Sequence, residues 1–250
     1  MTARVRMIMF AVGAGGLAAL LLWGLGGLPA FGHFNGAYAL LIDHLSVPQR
    51  HATDAVTAVN FDYRAFDTLG EEFILFTSVA GLAVLLREQR SERARPSDAA
   101  DSEHRFQGSS FALRALTVML VGPIVVLSLY VDSHGALTPG GGFQGGVVGA
   151  AGLLIVFLGG GYLAMRRLSP HGAVESAEAA GAAGYALVGL GGMIFASAYF
   201  QNFLELGTPG QLLSAGTIPL SSMAVGLEVT GAFVLLWSEF LDQALVVRSR

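Results

Sequence analysis

Residues 137–146 read Leu-Thr-Pro-Gly-Gly-Gly-Phe-Gln-Gly-Gly and lead directly into the uncharged apolar run Val147–Leu158. A phosphate-binding loop of this composition would follow a strand and end in Lys-Ser or Lys-Thr, and neither feature is present. Small residues recur every four positions in two adjacent rows, Gly141, Gly145 and Gly149 beside Gly142, Gly146 and Ala150. Because small residues at this spacing let helix backbones approach closely in a bilayer, the stretch predicts a tightly packed membrane helix.

The composition is that of a membrane protein. Of 250 residues, 53% are hydrophobic and only 13% are charged, whereas soluble domains carry about 25% charged residues. Cysteine is absent, which excludes disulfides, thiolate chemistry and cysteine-ligated metals. The net charge is -4 and no basic patch is interleaved with aromatic residues, so we expect no nucleic-acid partner.

Six segments are long and apolar enough to span a bilayer, which requires about 20 residues of helix. They are Met7–Leu28, Leu69–Leu86, Phe111–Val131, Phe143–Met165, Ala179–Phe200 and Ser222–Val247. The first follows two arginines like a signal peptide, but its apolar run is longer than the usual ~7–15 residues and no clear cleavage site follows. The predicted fold is therefore all-α, a polytopic membrane protein with six transmembrane helices.

The arginines predict the orientation of these helices. Lysine is absent, and an arrangement with both termini inside (N-in/C-in) leaves only Arg50 and Arg64 of the 14 basic residues on the outside. The other twelve are then cytoplasmic: Arg4, Arg6, Arg87, Arg90, Arg93, Arg95, Arg105, Arg114, Arg166, Arg167, Arg248 and Arg250. The positive-inside rule favours this orientation.

A polar stretch divides the chain into two membrane parts. Residues 87–110 are charge-mixed and nearly free of large apolar side chains, which is typical of a cytoplasmic linker. We therefore predict a two-helix segment over residues 1–86, the linker over 87–110 and a four-helix domain over 111–250. No internal repeat relates the two parts, so the chain alone is not expected to form an inverted-repeat transporter.

The first part contains a second distinctive block, residues 60–72, which read Asn-Phe-Asp-Tyr-Arg-Ala-Phe-Asp-Thr-Leu-Gly-Glu-Glu. Thr68 and Glu71 match a capping box, so Thr68, Glu71 and Glu72 can simply begin the second membrane helix. Alternatively, Glu71 or Glu72 contributes to an ion path, because ionisable groups near a bilayer are costly and often functional. Asp67 lies three residues after Arg64, so the two side chains can pair on one helix face or simply be solvated in the loop.

Two further ionisable residues lie in the second part. His134 precedes the glycine-rich turn, and it is either a solvated loop residue or a participant in hydration and cation entry. Glu228 lies inside the last predicted span, without a basic residue at i±3 or i±4. It is either an interfacial carboxylate or one that faces a subunit interface or wet cavity, where it can relay protons or coordinate a hard cation. No second histidine has metal-ligand spacing, so we expect no zinc site.

Both blocks resemble known families. Residues 111–247, with the string Thr-Pro-Gly-Gly-Gly-Phe-Gln-Gly-Gly, resemble the MnhB (MrpB) subunit family of Mrp-type multisubunit cation/proton antiporters. Residues 54–90, with the string Arg-Ala-Phe-Asp-Thr-Leu-Gly-Glu-Glu, resemble an MbhE-like segment, here fused ahead of the MnhB-like domain. His134 lies where the family pattern has a histidine before the turn. The resemblance implies partner subunits, Na+ or another monovalent cation and H+ as ions, and a prokaryotic plasma-membrane location.

The resemblance, taken with the residues that are present, implies an accessory transport subunit. The pumping subunits of this superfamily carry membrane-embedded lysines, and this chain has none. No nucleophile–base constellation or cofactor motif is present, so we expect neither enzymatic activity nor a cofactor. The candidate ion-path residues are Asp67, Glu71, Glu72, His134 and Glu228, and the candidate helix-packing residues are Gly141, Gly142, Gly145, Gly146 and Gly149. Two alternatives remain, a subunit of a membrane-bound hydrogenase or respiratory complex and a structural scaffold without ion contact.

Overall fold

The computed structural model describes residues 3–28, 32, 36–86 and 110–248, so the predicted linker lies, except for Ser110, outside the described residues. Contacts divide the chain into two units, Met1–Leu40 and Leu41–Arg250. The first unit contains α1 (Ala3–Gly26), whose described side chains are all exposed, and the start of α2 (Ala37–Arg50). Nothing in the described part of the chain forms a strand.

The second unit is a bundle of long helices preceded by short ones. A short helix, α3 (Ala55–Ala58), passes into a π-helical turn over Val59–Tyr63. The long helices that follow are α4 (Ala65–Leu86), α5 (Phe111–Ser133), α6 (Gly142–Leu168), α7 (His171–Phe195) and α8 (Ile218–Arg248). Helix α8 packs against α4, α5, α6 and α7. This central position explains why its membrane segment is the most buried of the spans.

The six predicted spans are confirmed, with different limits. Helices long and apolar enough to cross a membrane run over Met7–Gly26, Ala65–Leu86, Phe111–Ser133, Gly142–Leu168, His171–Phe195 and Ile218–Asp242. The fifth begins at His171 rather than Ala179 because Pro170, with its fixed φ, occupies the N-cap position and starts the helix directly after a short connection. It ends at Phe195, five residues before the predicted end.

The second span also begins earlier than expected, at Ala65 instead of Leu69. Thr68 therefore lies within the first turns of α4, and its hydroxyl donates to the Asn60 carbonyl oxygen at 2.7 Å. The capping-box interpretation is wrong, because the helix continues from the preceding π-helical turn and Asp67, not Glu71, lies in its first turn.

The glycine-rich turn produces close contacts between helices. A Cβ on Gly142 would lie 2.1 Å from the Ser222 carbonyl oxygen of α8, and one on Gly145 would lie 2.8 Å from the Asp132 Cβ of α5. Gly146 and Gly149 face α8 and α5 in the same way. Gly141 differs from them, because it precedes the helix and requires glycine for its φ of 119°.

A buried aromatic cluster joins the first part of the unit to the second. The Tyr185 hydroxyl of α7 donates to the Ala65 carbonyl oxygen at 2.9 Å. The Tyr185 ring packs against Phe61 of the π-helical turn and against Phe200, with centroid distances of 6.1 Å and 4.8 Å. The start of α4 is therefore held against α7, which determines where the acidic residues of α4 lie.

Candidate functional site

Glu228 is the most deeply buried carboxyl among the described residues and lies at the centre of the bundle. It lies ten residues into α8, about 15 Å along the helix axis at 1.5 Å per residue, and its side chain is 0% exposed. Within the described residues, no amide, hydroxyl, guanidinium or imidazole group donates a hydrogen bond to either of its carboxyl oxygens. An ionised carboxylate in such a place loses its hydration without compensation, which costs several kcal/mol even after relaxation, as an order of magnitude.

The group that faces Glu228 is a second carboxyl. Glu72 of α4 is 3% exposed, and its side chain is close enough to Glu228 for a direct carboxyl–carboxyl hydrogen bond. Such a bond exists only when one of the two groups carries a proton, since ionised carboxylates are acceptors only. Two adjacent buried carboxylates cannot both be charged at acceptable cost. The geometry therefore favours one proton shared by the pair.

A polar cavity leads to this pair from one side. Its volume is about 220 Å³, and its polar lining includes Thr57, Asn60, Thr68, Glu71, Glu72 and Gln144. Hydroxyl, amide and carboxyl groups that lie this close together around one cavity can hold water or a hard cation. Glu71 thus lies in the cavity next to Glu72, although its own side chain is largely exposed.

An ion-paired network holds the neighbouring loops in place. The Arg50 guanidinium donates to the Asp62 carboxylate, which also accepts from the Asn202 side-chain amide at 3.3 Å. Asn202 in turn accepts from the Thr217 backbone N–H at 3.0 Å, directly before α8. The network connects the π-helical turn with the start of α8, the two segments that lead into the glutamate-bearing helices.

The structure does not bring Asp67 or His134 to the carboxyl pair. Asp67 forms an exposed ion pair with Arg64 at 2.5 Å, the first of the two arrangements that their spacing allows. His134 is the C-cap of α5, stacks on Tyr130 with a centroid distance of 4.0 Å, and its Nδ1 lies 3.2 Å from the Tyr130 carbonyl oxygen. Of the five ion-path candidates, only Glu72 and Glu228 therefore meet, with Glu71 beside them.

Sequence reasoning missed a third buried carboxyl, Glu178 of α7. It is 5% exposed, and its Oε1 has no hydrogen-bond partner in the described part of the chain. Glu178 was not a candidate because the fifth span was predicted to begin at Ala179, which placed Glu178 in a loop. The signal that could have found it is the Ser169-Pro170 pair, since a proline after a helix end is a good start for the next helix.

No group of three or more His, Asp or Glu side chains among the described residues is arranged to hold a metal ion tightly.

A family model and two known proteins match large parts of this chain. A family model described as a domain related to the MnhB subunit of Na+/H+ antiporter matches residues 112–235. An uncharacterised protein of Methanocaldococcus jannaschii is 30% identical over 223 residues, 80% of this chain and 81% of that protein. A probable A/B subunit of a K+/H+ antiporter from Rhizobium meliloti is 27% identical over 173 residues, which are 63% of this chain but 17% of that protein.

Two solved membrane complexes contain similar chains. One is an archaeal respiratory complex, the membrane-bound sulfane sulfur reductase, with a TM-score of 0.68, 28% identity, and coverage of 96% of this chain and 98% of that chain. The other is the Mrp complex of a Dietzia species, which shares the fold with a TM-score of 0.66 and 24% identity over 96% of this chain and 26% of that chain. With its six apolar spans, the chain is a multi-pass protein of a prokaryotic plasma membrane that assembles with partner subunits, and it belongs to the MnhB family.

Proposed function

We propose that the protein is an accessory subunit of an Mrp-type antiporter that exchanges Na+ or another monovalent cation for H+, and that Glu72 and Glu228 belong to the ion path. The observation that carries this proposal is the contact of two buried carboxyls, where among the described residues no amide, hydroxyl, guanidinium or imidazole group donates to Glu228. The family match and the Rhizobium meliloti relative support the antiporter assignment.

The chemistry of exchange follows from the charge of the pair. One shared proton leaves the pair with a single negative charge, and loss of that proton leaves two. The second charge is costly in a buried place unless a cation enters as the proton leaves, because a bound cation restores the charge balance. Carboxylate oxygens suit a hard cation such as Na+, and the cavity beside Glu72 supplies further oxygen ligands from Thr57 and Asn60. The pair therefore couples proton release to cation entry.

The decisive experiment replaces each carboxyl of the pair by its neutral isostere. In Glu72→Gln and Glu228→Gln we expect the complex to assemble and exchange to fall by about ten-fold or more, since the side chains keep their shape but lose the titratable proton. Cation/proton exchange is measured in everted vesicles over a range of pH at equal complex levels. Glu205→Gln, in an exposed loop, is the matched control. Normal exchange in both pair variants at every pH would refute the role of the pair.

We also propose the domain organisation and orientation given by the sequence. Residues 1–86 would form the MbhE-like segment, 87–110 the cytoplasmic linker and 111–250 the MnhB-like domain. The family model covers only 112–235, whereas the solved chains cover 96% of this chain, and a relative described as a combined A/B subunit supports fusion. Reporter fusions after Arg95 and Arg167 should be cytoplasmic, and fusions near Gly140 and Gly210 external. A cytoplasmic signal at Gly140 would overturn the N-in/C-in orientation.

A second parent complex is favoured by one observation. This chain covers 98% of the similar chain in the sulfane sulfur reductase complex, but only 26% of the similar chain in the Mrp complex. Purification through a tag on this chain discriminates the two assemblies. Copurification of antiporter subunits alone supports the Mrp-type complex, whereas copurified subunits with iron–sulfur clusters support a respiratory or hydrogenase complex.

The scaffold alternative predicts a different result for the carboxyls. A protein that only packs against its partners needs no titratable group at Glu71, Glu72 or Glu228. Alanine at these positions would then leave exchange unchanged wherever the complex assembles. Retained assembly with lost exchange would instead exclude the pure scaffold.

A further inference from the structure

A second cavity lies at the other end of the same helices. Its volume is about 420 Å³, and it lies between α4, α7 and α8. Four of its lining side chains are ionisable: His171, Glu175, Glu178 and Glu239. At about 30 Å³ per water molecule the volume accommodates roughly fourteen waters. It opens near the connection between α6 and α7 that follows Arg166 and Arg167, the side predicted to be cytoplasmic.

The rim of this cavity is polar and connects two helices. His171 lies between two carboxylates, with Nδ1 3.5 Å from Glu175 Oε2 and Nε2 3.4 Å from Glu239 Oε1. The His171 and Glu175 side chains are 38% and 64% exposed. Polar groups that are this accessible attract water and cations to the mouth of the cavity.

The inner end of the cavity is the buried carboxyl of Glu178. This side chain is 5% exposed and lines the cavity, and its Oε1 accepts no hydrogen bond from the described residues. A buried carboxyl without a protein donor requires a proton or a water molecule. A water-filled cavity beside it would supply both.

A reciprocal contact places Glu178 next to Glu228. Glu178 and Gly181 on α7 have the same Glu-x-x-Gly spacing as Glu228 and Gly231 on α8. A Cβ on Gly181 would lie 2.4 Å from the Glu228 backbone nitrogen, and a Cβ on Gly231 would lie 2.8 Å from the Glu178 backbone nitrogen. The two helix backbones therefore touch at both glutamates, which lie about 5 Å apart along the helix axis, the rise of three residues.

We infer that Glu178 is the third carboxyl of a relay through this protein, and that the cavity lined by His171, Glu175, Glu178 and Glu239 is the hydrated vestibule from which protons reach it. The relay rests on the proposed function of the Glu72–Glu228 pair. A proton entering from the vestibule binds Glu178, passes to Glu228 and is then shared with Glu72, beside the first cavity. The ionisable groups that face Glu178 are Glu228 and Glu239 of α8, with His171 and Glu175 of its own helix.

The carboxyls of Glu178, Glu228 and Glu72 lie between two cavities, one at each end. This arrangement is that of a path rather than of a single site. Glu72 lines the cavity that contains Glu71, Asn60 and Gln144, and Glu178 lines the vestibule. Of these three carboxyls, Glu228 is fully buried and lines neither cavity. Glu228 is therefore the residue through which a proton passes from the path on one side to the path on the other.

Thiol accessibility tests the vestibule without any reference to exchange. The chain has no cysteine, so a single introduced thiol in this protein is unambiguous. Ala83→Cys and Ala179→Cys line the cavity, and Ala180→Cys, one residue further along α7, is outside its lining and serves as the control. In the assembled complex we expect a membrane-impermeant methanethiosulfonate to modify the two lining thiols from the cytoplasmic face at least about ten-fold faster than the control thiol, since thiolates react only where water and reagent reach them.

The relay itself is tested by Glu178→Gln. With the complex level unchanged, we expect exchange to fall by about ten-fold or more and its pH dependence to change, because a positioned proton carrier has been removed. Glu178→Asp should restore part of the activity, which a purely structural role would not predict. Wild-type exchange of Glu178→Gln at every pH, or lining thiols modified no faster than the control thiol, overturns the inference.

The two proposals fail separately. Rapid modification of the lining thiols and lost exchange in Glu178→Gln, combined with normal exchange in Glu72→Gln and Glu228→Gln, would retain the vestibule and reject the pair as its continuation. Unreactive lining thiols with inactive pair variants would reject the vestibule and retain the pair.

Discussion

The glycine-rich contact of α6 and the glutamate-bearing contact of α7 with α8 are built by the same device, backbones that touch at glycine. At the glycine-rich contact two polar side chains are satisfied: Ser128 donates to the Gly145 carbonyl oxygen at 2.7 Å and Ser222 donates to the Asp132 carboxylate at 2.9 Å. At the α7–α8 contact, Glu178 and Glu228 carry carboxyl oxygens without a donor among the described residues. Close packing therefore stabilises the helix bundle in one region and holds buried carboxyls close together in the other.

The most conspicuous motif of this membrane protein is not where its unpaired carboxyls lie. The glycine string is conspicuous because it is repetitive, but its contacts are those of a rigid support. The buried carboxyls Glu72, Glu178 and Glu228 lie at least 50 positions apart in the chain and have little in common except the Glu-x-x-Gly spacing of two of them. Rigid support and ion chemistry can thus lie on different faces of the same central helix.

The largest expected effect is in the supporting region. Gly145→Leu would place side-chain atoms where a Cβ alone lies 2.8 Å from Asp132 Cβ and 2.9 Å from the Ser128 carbonyl oxygen. We expect the assembled complex to be lost, because overpacking of this kind costs several kcal/mol as an order of magnitude. Complex yield after affinity purification measures the effect. Gly122→Leu on α5, where a Cβ would meet nothing within 4 Å among the described residues, is the control, and equal yields for the two variants would contradict the packing role.

A smaller effect is expected at the α7–α8 contact. Gly181→Ala introduces a Cβ 2.4 Å from the Glu228 backbone nitrogen, so the helices must separate at the carboxyls, at a cost of about 1–3 kcal/mol. We expect the complex to form with a lowered thermal midpoint and reduced exchange. Gly184→Ala on the same helix, whose Cβ would be 3.5 Å from Ala224 Cβ, should behave as wild type. Equal thermal midpoints for the two variants would show that the contact is loose.

Asp132→Asn tests whether a satisfied carboxyl differs from an unsatisfied one. Asp132 accepts from the Ser222 hydroxyl, and the amide oxygen of asparagine can accept the same hydrogen bond. We expect exchange within about two-fold of wild type, in contrast to Glu228→Gln. The two variants are compared in everted vesicles at equal complex levels. If exchange falls as much in Asp132→Asn as in Glu228→Gln, the proposed difference between hydrogen-bonded and unpaired carboxyls is wrong.

The smallest effect is expected at the surface. Asp67 pairs with Arg64, but the two side chains are 52% and 60% exposed. Solvent screening limits such a pair to about 0.5 kcal/mol or less. The thermal midpoint of the complex and its exchange in Asp67→Ala should therefore match wild type. A strong loss of exchange would return Asp67 to the ion path and extend the functional region to the start of α4.

The sequence predicted the spans well and the polar residues inside them less well. Length and hydrophobicity determine whether a helix can cross a bilayer, so the six spans could be found without any structure. Their ends depend on single residues, and Pro170 moved the start of α7 by eight positions relative to the prediction, which brought Glu178 into the membrane segment. The exposed Arg64–Asp67 pair was predictable because it is local to one helical turn.

The sequence by itself determined the helical membrane architecture, the membership of the family and the glycines that allow close approach, because each depends on composition, spacing or a contiguous string. It also selected Glu72 and Glu228 as candidates. Only the tertiary structure decided that these two carboxyls face each other, that Glu178 joins them, and that Asp67 and His134 lie elsewhere. The physical reason is that the cost and the chemistry of a buried charge depend on what the neighbouring helices bring to it, and this pairing of distant helices is not encoded at any one position.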